Sequence, residues 1–217
     1  MPLPKLVIFG GTGGLGQNII PLLEKEFEIS AIGRNWVNVL YDYKVEGFFN
    51  EAQYIPNVIY MAVHNVDSTL HRLQWVDVED QLETNIQGFL NVVRYCLPSM
   101  RENKYGRIIY VSSILSERPI PGTGIYSATK AFNDNLVRTC ALENAKYNIT
   151  CNSLQLGYFN AGLSKKVPQD LMQRVLEKTP MKRLGNAEDL TKPIKFILDS
   201  PFLTGVNLPL SGGLNIV

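Results

Sequence analysis

Short apolar runs alternate with longer amphipathic stretches along this chain, and that alternation predicts strands separated by helices. The strands are expected over Lys5–Phe9, Glu28–Ile32, Val37–Tyr41, Asn57–Met61, Arg107–Ser112 and Ile149–Leu154, with a last one near Thr204–Leu208. Helices are expected to start at Gly14, near Asp77, near Gly124 and at Ala187, with another over Leu171–Lys178. The longest runs from Asp77 to about Arg101. It spaces Leu82, Ile86, Phe89, Leu90, Val93 and Leu97 three or four residues apart, which makes a continuous apolar stripe to lie on a sheet. This pattern predicts an α/β chain with a doubly wound, mostly parallel sheet of about seven strands.

Composition narrows the picture. At 217 residues and 24.4 kDa, with no linker-like stretch, the chain is expected to form one domain over 1–217. The 21 basic and 20 acidic residues nearly cancel, which gives no electrostatic reason to expect a nucleic acid or an anionic membrane as partner. The apolar run before Gly10 is too short for a signal peptide, and no later stretch reaches membrane-spanning length, so a cytoplasmic location is expected. Cys96, Cys140 and Cys151 are odd in number and far apart in sequence, and read as reduced packing residues. His64 and His71 have no cysteine or carboxylate at ligand spacing, so no metal site is expected.

The chemistry begins directly after the first strand, at Gly10-Gly-Thr-Gly-Gly14-Leu-Gly16. Glycines allow a tight turn and close backbone approach, and the free N–H groups at a helix start attract a pyrophosphate. The second strand ends Gly33-Arg34-Asn35, without the carboxylate that would accept from a ribose 2′-hydroxyl. Arg34 instead offers a planar set of donors suited to the 2′-phosphate of NADP(H). Further on, Tyr126 and Lys130 are four residues apart, on one face of the helix expected there. A cation beside a phenol lowers its pKa, which makes Tyr126 a candidate acid–base group. Ser113 stands thirteen residues before it, where a strand should end.

These pieces, in this order, resemble the short-chain dehydrogenase/reductase family over nearly the whole chain. The matching residues are Gly10, Gly14 and Gly16, then Asp42, then Asn85 in Glu83-Thr-Asn-Ile-Gln-Gly88, then Ser113, Tyr126 and Lys130. Asn152, Gly157, the stretch Pro180–Asp189 and the ending Thr204–Gly213 complete the likeness. The resemblance implies a single Rossmann-type domain with a substrate lid around residues 162–180, and a catalytic tetrad of Asn85, Ser113, Tyr126 and Lys130. Tyr126 would give a proton to a carbonyl oxygen that Ser113 holds. Lys130 would bind the nicotinamide ribose and depress the Tyr126 pKa, while Asn85 would position a water that links Lys130 to solvent. Cofactor contacts are expected from Gly10, Thr12, Gly13, Leu15, Gly16, Arg34, Asn35, Asp42, Tyr43, Ala62, Gly157 and Phe159, besides Tyr126 and Lys130.

The resemblance further implies reduction of a ketone or 3-oxoacyl-type carbonyl, on a small-molecule or carrier-bound substrate, by a homodimer or homotetramer. Two other readings stay open at this point: a dinucleotide-binding sensor without catalysis, and a dehydratase or epimerase using the same Tyr and Lys. The chain departs from the family pattern in three places. Tyr60-Met-Ala62-Val-His64 replaces the usual Asn-Asn-Ala-Gly, Leu156 precedes Gly157 in place of Pro, and Ala161 stands where a Thr is usual, leaving Asn160 or Ser164 to supply that contact. The span from Arg34 to Tyr60 is also short for the family, so its helix is expected to be reduced to a loop around Gly47–Ile55. Lys165, Lys166 and Arg174 place positive charge on the lid.

Overall fold

The computed structural model describes residues 2–217. Six strands, β1 (Lys5–Phe9), β2 (Glu28–Ile32), β3 (Asn57–Tyr60), β4 (Gly106–Ser113), β5 (Ile149–Leu156) and β6 (Asn207–Leu210), form one sheet in the order β2-β1-β3-β4-β5-β6, with every pairing parallel. The helices are α1 (Gly14–Leu23), α2 (Asp42–Ala52), α3 (Trp75–Leu82), α4 (Gly88–Glu102), α5 (Gly124–Asn144), α6 (Gln169–Lys178) and α7 (Ala187–Leu198).

Alternate strand residues feed opposite layers, as the two-residue side-chain period requires. Leu6, Ile8, Ile59, Ile109 and Leu154 meet Ile19 and Leu23 of α1 and Leu190 and Ile194 of α7. Val7, Phe9, Val58, Tyr60, Ile108, Tyr110 and Cys151 meet Val45 and Phe49 of α2, Phe89 and Val92 of α4, and Val137 of α5. One row of this second face is aromatic. Phe9, Tyr60 and Tyr110 are register partners on adjacent strands, with ring centroids 6.4 and 6.2 Å apart, and Phe89 closes on Tyr110 at 4.7 Å. The next residue across that row is Ser153 on β5. All three cysteines are free and buried in the same layer.

The sheet therefore has six strands rather than about seven. Val37–Tyr41 has no strand partner, although Val37 and Val39 are buried as their alternation implied. Asn38 turns the segment on itself: its side chain accepts from Leu40 N and its carbonyl from Tyr41 N. The loop expected around Gly47–Ile55 is instead mostly helical. In α2, Val45, Phe48 and Phe49 supply the apolar face, and Gly47, a half-buried glycine inside the helix, obscures the pattern. The long helix from Asp77 is interrupted by a π turn over Glu83–Gln87, between α3 and α4.

Asn186 starts α7 with a capping box. Its side chain accepts from Asp189 N at 2.9 Å, and the Asp189 carboxylate accepts from Asn186 N at 2.9 Å. Replacing Asn186 by Ala is expected to cost about 1 kcal/mol of stability in a denaturant melt. The hydrogen bond from Arg183 and then that from the Asn186 backbone hold Asp189 down at about 2, below the ordinary 3.8. A depressed carboxylate stabilises the fold above its unfolded value, so this contribution is expected to fade as pH falls from about 4 to about 2.

Candidate active site

Strand order reverses between β1 and β3, and the carboxyl ends of those strands open into a crevice of about 220 Å³. The glycine loop after β1 forms its floor. Gly10 has φ +84°, and a Cβ there would lie 2.5 Å from Ala62 N, so only glycine lets the loop meet the segment after β3. A Cβ at Gly16 would lie 2.3 Å from Gly11 O, which holds the start of α1 tight against the loop. The helix α1 has no side-chain cap and no acidic residue in its first turn. Its first N–H groups are thus open to an anion, and this loop fits a dinucleotide pyrophosphate.

Of the residues expected to contact the cofactor, Gly10, Thr12, Gly13, Arg34 and Ala62 line this crevice, together with Gly33, Asn38, Val39, Leu40, Met61, Val63 and Thr84. Asn35, Asp42 and Tyr43 do not line it. Asp42 instead ties α2 to α4, accepting from the Tyr95 hydroxyl at 2.8 Å with Arg94 at 3.6 Å. Tyr43 is exposed, beside the Tyr41 ring. The chain turns at Asn38, so Asn38–Leu40 reach the crevice before Asp42 is met; the polar residue between two buried valines was the available signal.

Leu15 and Phe159 border a smaller pocket with Asn18, Asn160, Ala161 and Asn186. Phe159 is itself buried, and its ring fills the space beside Gly185. Gly157 packs on Ser211, where a Cβ would meet Ser211 Cα at 2.8 Å. The Ser164 hydroxyl accepts from Phe159 N at 3.3 Å. Gly162, at the start of the lid, approaches the glycine loop closely: a Cβ on Gly14 would lie 3.2 Å from Gly162 N.

Beside the crevice, β4 ends at Ser113 and α5 carries Tyr126 and Lys130. The Ser113 hydroxyl stands near the Tyr126 phenol, and its Oγ accepts from Leu115 N at 3.2 Å. Lys130 is buried and donates to Val111 O at 2.8 Å. Its Nζ lies over two rings, 4.8 Å from the Tyr110 centroid and 5.7 Å from that of Tyr126.

Asn85 lies in the π turn, a local widening of a helix that often marks functional sites. Its side chain accepts from His64 N at 2.8 Å and donates to His64 O at 2.9 Å and to Thr129 Oγ1 at 3.1 Å. Asn85 thus fixes the segment after β3 to α5. Its carbonyl accepts from Asn133 Nδ2 at 2.6 Å. His64 takes part through its backbone in this clamp.

Tyr126 does not show the depressed value expected from its lysine neighbour. Burial pushes it up to about 12, with the neighbouring Ser113 hydroxyl opposing. Burial pushes Lys130 down to about 7, with the Asp134 carboxylate opposing. At neutral pH the phenol therefore keeps its proton and can give it to an oxygen bound next to Ser113.

The parallel sheet, the glycine cradle at its switch point and the Ser–Tyr–Lys group beside that cradle define a dinucleotide-dependent oxidoreductase. The family model described as enoyl-(acyl carrier protein) reductase matches residues 36–215. The chain is 26% identical to a 3-oxoacyl-[acyl-carrier-protein] reductase of Bos taurus, over 96% of this chain and 97% of the relative. It is 30% identical to nodulation protein G of Azospirillum brasilense, over 79% and 70%. Among solved structures, the fold is similar to ElxO with NADP bound, at a TM-score of 0.92 and 21% identity, with both chains fully covered. This chain belongs to the short-chain dehydrogenase/reductase family.

Proposed function

We propose that the protein reduces a ketone or 3-oxoacyl-type carbonyl to an alcohol with NADPH. The observation that carries this reading is the meeting of Ser113, Tyr126 and Lys130 at the end of β4, on the same carboxyl edge of the parallel sheet as the uncapped start of α1. Relatives named as 3-oxoacyl-[acyl-carrier-protein] reductases, and a similar solved structure in complex with NADPH, support the same chemistry.

The first turn of α1 and the glycine loop would hold the pyrophosphate, and Arg34 with Gly33 would receive the adenosine 2′-phosphate. Bound there, the nicotinamide supplies the hydride. The chain's residues do the rest. Ser113 donates to the carbonyl oxygen and holds it against Tyr126, which transfers its proton as negative charge develops on that oxygen. Lys130 places positive charge beneath the phenol, so the phenolate formed by proton transfer is stabilised. Asn85 holds the wall formed by Ala62–His64 in place.

The substrate enters beneath a lid whose exposed Lys165, Lys166 and Arg174 suit an anionic or carrier-bound acyl group. Exposed apolar side chains on α3 and α5, among them Trp75, Val76 and Leu142, fit a homodimer or homotetramer. Among the described residues, no helix is long and apolar enough to cross a membrane.

A panel of ketones and 3-oxoacyl thioesters followed by NADPH absorbance tests the reading; no oxidation with any of them would sink it. Replacing Arg34 by Ala is expected to weaken NADPH binding about 10- to 100-fold while leaving NADH binding within about two-fold. Cofactor titration of both proteins checks this, and equal wild-type affinity for the two cofactors would remove the assignment.

A further inference from the structure

One turn beyond Lys130, α5 carries a second buried charged residue, Asp134, that proton transfer from Tyr126 does not use. Both are 3% exposed. The four-residue spacing puts them on one helix face, with Tyr126 one turn before. The Asp134 carboxylate is held by two donors from β5: Ser153 Oγ at 2.5 Å and Gln155 Nε2 at 2.9 Å. Gln155 Nε2 also reaches Ser116 Oγ at 2.9 Å and Glu117 Oε1 at 3.0 Å, in the turn that follows Ser113. Ser153 stands next to Tyr110 in the strand register, and Lys130 lies over the Tyr110 ring.

The neighbouring Asn133 is fully buried and donates to Asn85 O at 2.6 Å and to the Tyr110 hydroxyl at 2.9 Å. The carbonyl behind the π turn is therefore already satisfied. Nothing in this arrangement gives the Lys130 ammonium a direct carboxylate partner: Val111 O is its hydrogen-bond acceptor.

We propose that Asp134 is a positioning residue for Lys130: its carboxylate, fixed by Ser153 and Gln155, keeps the buried lysine in the ammonium form that the reaction uses. An ammonium taken out of water loses its solvation, and a nearby negative charge restores part of that loss. The other titratable groups around Lys130 are Tyr126 on its own helix and Tyr110 on β4, both neutral as phenols. Tyr158 and Asp67 lie within electrostatic reach of Tyr126, and Glu117 accepts from Gln155. Asp134 is accordingly the carboxylate that raises the lysine, against a burial effect that holds it at about 7.

The sign follows directly. A negative charge favours the protonated lysine, so removing it lowers the pH at which Lys130 loses its proton. The consequence for turnover rests on the proposed reductase reading; the lysine titration does not. With 13C-labelled lysine, the Lys130 resonance is assigned by comparison with Lys130→Arg and titrated by NMR. Asp134→Asn is expected to lower its midpoint by about one pH unit. Asp134→Ser is a smaller neutral replacement in case the Asn variant fails to fold, and Asp134→Glu keeps the charge and is expected to stay near wild type.

In NADPH-dependent reduction, the alkaline limb of the kcat profile is expected to shift to lower pH by the same amount in the neutral variants. An unchanged midpoint in a folded neutral variant, or an equal shift in Asp134→Glu, would overturn the proposal. A shifted lysine midpoint with no carbonyl reduced by any variant or by wild type would support the electrostatic role and defeat the reductase reading instead.

Discussion

Replacing Tyr126 by Phe is expected to lower turnover by roughly 10²- to 10⁴-fold, the usual contribution of a positioned general acid. The loss should fall on kcat, because the proton is transferred only as negative charge forms on the substrate oxygen. Binding of NADPH should stay within about two-fold, since the pyrophosphate and adenosine contacts proposed for the glycine loop and Gly33–Arg34 fall in a crevice that the phenol does not line. The variant should also fold: removing one hydroxyl from a part-buried ring leaves its apolar packing in place, with the Ser113 side chain free to turn. Single-turnover kinetics with a responsive carbonyl, together with a cofactor titration, separate the two effects. Undiminished turnover would remove Tyr126 from its assigned role.

Replacing Gly10 by Ala is expected to damage both the fold and the cofactor site. The backbone there has φ +84°, a conformation that costs a residue with a Cβ about 1–2 kcal/mol. The added methyl would also lie 2.5 Å from Ala62 N and 2.8 Å from Met61 C. Those are backbone atoms beside β3, so relief requires the strand ends to separate. A total loss of about 3 kcal/mol or more is expected in a denaturant melt, with dinucleotide affinity falling at least about 100-fold. Ala at Gly47 is the informative control. A Cβ there meets nothing within 4 Å, and a helical Gly-to-Ala change should stabilise by a few tenths to about 1 kcal/mol. If Gly10→Ala behaves like Gly47→Ala, the cradle is not built on that contact.

Much of this architecture is legible in the residue pattern because parallel strands buried on both faces write themselves as short apolar runs. The six strands, the glycine turn and the helix bearing Tyr126 and Lys130 are of this kind. What misled was the stretch between Arg34 and Tyr60. Val37 and Val39 alternate as a strand would and are buried as a strand would be, but the Asn38 turn replaces ladder pairing, which period-two burial alone does not distinguish. The helix α2 was hidden by Gly47, and with the helix went the true place of Asp42, at its first turn against Tyr95.

The interruption at Asn85 could not be read either, since a π turn leaves the apolar stripe on both sides intact. The Tyr126 titration was misjudged for another reason. Helix spacing brings Lys130 to the same face, but only the packing of Tyr110 shows that the ammonium rests over rings while burial governs both groups.

The aromatic row under the site has a bearing on how this sequence can change. Tyr60 donates to Thr84 O at 2.6 Å, and a Cβ on Gly88 would lie 2.4 Å from that hydroxyl. The ring also packs between those of Phe9 and Tyr110 and against Phe89. A smaller residue at 60 leaves a hole beneath the crevice, and a larger one at 88 meets the phenol. The two positions are coupled, so their effects will not add. An ancestral path to this chain, or an engineered path away from it, has to move Tyr60, Gly88 and their ring neighbours as a set, because the single steps pass through poorly packed intermediates.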